Sequence, residues 1–152
     1  MILLALATLA GALSSCAQSP SSQALEGPLK DAVSAVRTTA LAVDLRIKEH
    51  TTAAAGSTAA DDMVKQLESA TDEVEALSGS TSEEQKLRED VLATFSSASR
   101  AMLHARDALT APQGGPEGGQ SGSGESKLVP VLDELHSASE QLDELMTKAG
   151  IQ

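Results

Sequence analysis

TSEEQKLREDVLATFSSASRAMLHARDALTAP, residues 81–112, decides how the chain is built. Thr81 followed three residues later by Glu84 is the pattern of a capping box, in which each side chain answers a backbone N–H that the first helical turn leaves without a partner. Behind it, Val91, Phe95, Ala98, Met102, Ala105 and Leu109 recur in steps of four and three, which places them on one face of a helix. Pro112 stops the run, because the residue before a proline is driven out of helical conformation. The stretch predicts one long amphipathic helix.

The same spacing recurs on both sides of it. Toward the N-terminus, Gly27 and Pro28 mark the start of a helix carrying Leu29, Val33, Val36, Ala40, Val43 and Ile47, which runs out across Thr51 to Gly56. A second helix opens at Ser57 or Thr58, with Asp61 as its capping acid, carries Ala60, Met63, Leu67, Ala70, Val74 and Leu77, and closes at Gly79. Toward the C-terminus, a fourth starts near Ser126 and accepts Pro130 in its first turn. It carries Leu128, Val131, Leu135, Ala138, Leu142, Leu145 and Ala149, and ends at Gly150. Residues 112–126, rich in Gly, Ser, Gln and Pro, bury too little apolar surface to order themselves and are expected to form a disordered loop. No stretch shows a strand pattern. Short connections join the first helix to the second and the second to the third. The sequence therefore predicts an all-α fold, an antiparallel up-down-up-down four-helix bundle over residues 25–152. A helical hairpin that completes its core by oligomerising is the alternative left by the heptad-like spacing.

Composition narrows the function classes. Across 152 residues the formal net charge is −11, and the aromatic content is a single phenylalanine, Phe95. Nucleic-acid binding needs clustered Lys and Arg for phosphates or aromatic platforms for bases, so nucleic acid is excluded as a partner. An acidic body is also repelled by anionic headgroups, so membrane association must come from a greasy segment or a covalent lipid.

The N-terminus offers both. Ile2 to Ala12 form an uncharged apolar run, too short to span a bilayer as a helix of about 20 residues. Leu13, Ser14, Ser15 and Cys16 follow it directly, an aliphatic residue and two small ones before the chain's single cysteine. This segment resembles the lipobox of bacterial lipoprotein precursors. The resemblance implies that residues 1–15 are a signal peptide, cleaved before Cys16, and that the Cys16 thiol carries a diacylglycerol. It further implies a chain held on the extracytoplasmic face of the cell membrane by that lipid. Such precursors ordinarily open with Lys or Arg, whereas here Met1 alone precedes the apolar run, which suggests a translation start further upstream. Small and polar residues make 16–24 a flexible tether. With one cysteine, no internal disulfide is available to the mature domain.

No catalytic constellation is expected. His50, His104 and His136 are the candidate metal ligands, but their positions relative to the core stripe point them to different faces. Asp133 and His136 form one acid–His pair on an outer face, short of the paired motifs of di-iron bundles. Adjacent carboxylates such as Asp61 with Asp62, or Asp143 with Glu144, diverge by about 100° on a helix and do not make an acid/base pair. The glycines of 112–126 lack a strand and the Lys of a phosphate loop, and no serine sits in a Gly-x-Ser-x-Gly elbow. Neither enzyme activity, nor a cofactor, nor a dedicated metal site is expected. The expected function is a lipid-anchored interaction or scaffold module of the cell envelope, with an extracytoplasmic ligand- or cation-binding domain as the alternative. Leu41 and Leu45 lie off the first helix's core stripe, and Leu92 and Leu103 lie off the third's. Leu41 and Leu45 form a candidate surface for an envelope protein or for self-association.

Overall fold

The computed structural model describes residues 20–111 and 125–152. Among them the chain is all-helical: α1 (Pro20–Ile47), α2 (Ala53–Ala76), α3 (Ser82–Thr110) and α4 (Glu125–Lys148). Residues 1–19, which include the apolar run and Cys16, and residues 112–124 of the expected loop lie outside the described residues.

α1 begins earlier than expected. Its first turns occupy part of the stretch read as tether, and Pro28 stands inside the helix. A proline there removes one backbone hydrogen bond and costs about 3 kcal/mol. Burial offsets it: Leu25 and Ser22 continue the phase of Leu29 and Val36, and Leu25 is 2% exposed. A fully buried leucine contributes about 1.5–3 kcal/mol. α2 also opens earlier, at a different cap. Thr52 Oγ1 accepts the Ala55 N–H at 3.1 Å, so Ser57, Thr58 and Asp61 lie inside the helix. Gly56, read as part of the connection, is a buried helical residue; a Cβ there would stand 3.3 Å from Leu109 Cδ2. α3 opens as its sequence predicts. Glu84 N–H donates to Thr81 Oγ1, and Thr81 N–H donates to Glu84 Oε2, both at 3.2 Å.

Two helix ends share one geometry. Gly150, at φ 73°, ends α4 with its N–H on Thr147 O and the Ile151 N–H on Met146 O. This is a Schellman end, and it buries Ile151. α1 closes the same way with Glu49 at φ 58°, its N–H on Arg46 O and the His50 N–H on Leu45 O. The third turn relies on a side chain. Arg88 of α3 donates from Nε to Val74 O at 3.0 Å and from its guanidinium to Glu75 O at 2.7 Å, satisfying late carbonyls of α2.

The core is one cluster drawn from all four helices. All six residues predicted for the α3 face are buried, as are Leu29, Val33, Val36, Ala40 and Val43 of α1. Val64 is buried in α2 where Met63 was expected, and Met63, Ile47 and Val131 are half-buried at the edge of the cluster. α1 and α3 each pack on α2 and α4 and also meet across the centre, whereas no contact joins α2 to α4. Small core-facing residues, Ala32 on α1 with Ala98 and Ala105 on α3, suit that closer diagonal. Contacts between helices set their levels. Gln66 Nε2 reaches Asp31, and Gly56 faces Ala42. Arg106 lies 3.8 Å from Asp61 at the opposite end of α2 and α3 from the Arg88 cap. Arg37 of α1 binds Asp143 of α4 at 2.7 Å.

Candidate functional site

The expected leucine surface is smaller than its sequence spacing implied. Leu41 is 56% exposed, but Leu45 is half-buried. Leu92 and Leu103 are half-buried and pack against the core, so neither is an exposed apolar side chain. Val129 of α4, 48% exposed, is the other large apolar side chain open to solvent among the described residues.

The three histidines are all exposed and do not converge. His104 Nδ1 lies 3.1 Å from Glu134 Oε2 across the α3–α4 groove, while His50 sits in the α1–α2 connection. Asp133 and His136 are likewise exposed on α4. Among the described residues no three His, Cys, Asp or Glu side chains are grouped to hold a metal ion.

Grooves between helices are the concave features. One of about 310 Å³ runs between α3 and α4, lined by Ser97, Arg100, His104, Glu134, Ser137 and Gln141. A neighbour of about 380 Å³ continues it past Gln141 to Asp90, Glu144 and Lys148. Lys148 and Lys86 both hydrogen-bond the Asp90 carboxylate, Lys148 with the larger effect, and hold its pKa below the ordinary value. A hollow of about 300 Å³ lies where Ala24 and Leu25 of α1 meet the turn from Leu77 to Ser80. That turn is tight: a Cβ on Gly79 would come within 2.8 Å of the Gln85 backbone nitrogen. Sequence spacing did not reveal these grooves, since they depend on which helices become neighbours. The early start of α1 did have a sequence signal, in the continued phase of Leu25.

No described helix is long and apolar enough to cross a membrane. Comparison of the chain with protein-family models, with curated proteins and with solved structures found no match.

Proposed function

We propose that this chain is a lipid-anchored protein of the bacterial cell envelope whose helical body acts as an interaction or scaffold module outside the membrane. The observation that carries the reading is the run Leu13-Ser14-Ser15-Cys16 placed directly after an apolar segment of signal-peptide length. In this reading residues 1–15 are removed and Cys16 bears the lipid. The body that follows is an up-down-up-down bundle. That order is supported by two contacts on each pair of consecutive helices, Asp31 with Gln66 and Ala42 with Gly56, Val74 with Arg88 and Asp61 with Arg106, and Asp90 with Lys148 and His104 with Glu134, so that residue numbers rise along one helix as they fall along the next. The start of α1 at Pro20 leaves only Ala17, Gln18 and Ser19 between it and Cys16. The tether is then shorter than composition implied, and the body stands close to the headgroups. A non-enzymatic role fits a surface of open grooves and solvated charges. Replacing Cys16 with serine tests the reading: the variant is expected to lose its lipid and its membrane retention, and unchanged retention with an intact diacylglyceryl adduct overturns it.

A further inference from the structure

α1 and α3 meet across the centre of the bundle, whereas no contact joins α2 to α4. Each of α1, α2 and α3 therefore touches the other two, and α4 packs on α1 and α3 alone. Among the described residues, nine of the twelve largest fully buried side chains lie on α1–α3; the other three, Leu128, Leu135 and Leu142, lie on α4. Three helices thus close on one another without the fourth.

α2 also packs on two helices only, but it is tied to them through the backbone. The short turns 48–52 and 77–81 join it to both neighbours, Arg88 of α3 donates to two of its carbonyls, and its own Gln66 donates to the Asp31 carbonyl of α1. α4 has no hydrogen bond to the backbone of another helix among the described residues. Its polar contacts with its neighbours are pairs of exposed side chains: Arg37 with Ser139 and Asp143, His104 with Glu134, and Asp90 with Lys148. Such pairs contribute little and are screened by salt. The seam with α3 is open as well, with the cavities of about 310 and 380 Å³ lying along it over Ala93, Ala101 and Ala138. What holds α4 is the burial of its leucine stripe.

We propose that α4 is a releasable strap: it leaves the bundle as a unit, α1–α3 stay folded, and the apolar face uncovered between α1 and α3 receives a partner helix with leucines at the spacing of Leu128, Leu135 and Leu142. Sub-global opening starts at the element with the fewest ties to the rest, which here is α4. The seated α4 defines the occupant, because a face that takes leucines seven residues apart accepts a helix with the same repeat. The release stands on contacts within the chain. Capture of a partner deepens the interaction-module reading and rests on it.

Native-state hydrogen exchange of the full chain in a nonionic detergent, read by mass spectrometry, tests the release. Amides of α4 should exchange at least about tenfold faster than the slowest amides of α1–α3, with a weaker dependence on urea because less surface opens. Glu68→Gly, an exposed change on α2, should speed exchange in α1–α3 roughly threefold to fivefold and leave α4 unchanged, because α2 is still folded when α4 departs. Equal acceleration in all four helices, or an α4 as protected as the rest, overturns the strap. Capture is read with a fluorescent peptide of residues 125–152. In a Leu142→Ala chain the resident helix is weakened on the order of 30-fold, so against an effective concentration of about 1 mM for a tethered helix the peptide should bind with a midpoint of roughly 30 μM. The same peptide carrying Leu135→Ala and Leu142→Ala should not bind at that concentration. No capture, or equal capture of both peptides, overturns the partner face. Neither result bears on the lipid anchor, which Cys16→Ser tests separately.

Discussion

Replacing Leu25 with alanine asks whether the bundle begins before Gly27. Leu25 is 2% exposed and belongs to the core cluster, although its position falls at the edge of the segment whose composition reads as linker. Leucine-to-alanine changes in well-packed cores cost about 2–5 kcal/mol, the sum of lost transfer energy and the cavity left behind. Leu25 lies near the start of α1, beside the hollow bounded by Leu77 and Gly79, so its surroundings can relax more than those of a central residue. The expected loss is at the lower end, about 2–3 kcal/mol. For a domain of this size that lowers the midpoint of thermal unfolding by roughly 6–15 °C. Urea unfolding followed by circular dichroism gives the free energy directly, with Leu41→Ala as the exposed control, expected within about 0.5 kcal/mol of wild type. A Leu25→Ala loss as small as that of the control would refute the early start of α1 and return residues 20–24 to the tether.

The helix ends supply further predictions. Arg88→Ala should cost about 1–3 kcal/mol in urea unfolding by freeing late carbonyls of α2, and Arg88→Lys should not restore them because a lysine cannot span both acceptors. Glu49→Gly should raise stability by about 0.5–1 kcal/mol, the relief of a left-handed backbone less the extra freedom of glycine in the unfolded chain; a loss would mean that Glu49 is not held at positive φ. For Asp90, a folded pKa held below its ordinary value by Lys148 and Lys86 stabilises the fold above the unfolded-state pKa and stops doing so as pH falls through the folded value. Wild type should therefore be more stable than Asp90→Asn at neutral pH, with the difference starting to shrink near about pH 4 and disappearing only below the folded pKa in a stability-against-pH series.

Much of the bundle was legible in the order of its residues. The α3 face and its capping box follow from local rules alone, since the spacing of Val91, Phe95, Ala98 and Met102 and the Thr81–Glu84 pair need no partner helix to be recognised. Boundaries fared worse where tertiary burial outweighed local preference. Gly27-Pro28 is a good helix start in isolation, and the burial of Leu25 overrules it; Thr52 caps α2 ahead of the better-looking acid at Asp61. Wheel geometry also places Leu45 fully outward, whereas the structure leaves it half-buried. Side-chain roles across helices, such as the Arg88 cap and the Arg37–Asp143 ion pair, need the packing order before they can be seen at all.

The central claim is tested most directly by intact mass spectrometry of the full-length gene product recovered from the membrane fraction of its own host. The account predicts a chain that begins at Cys16 and carries the added mass of a diacylglyceryl group on that residue. A chain that retains residues 1–15, or that begins at Cys16 with a free thiol, contradicts it.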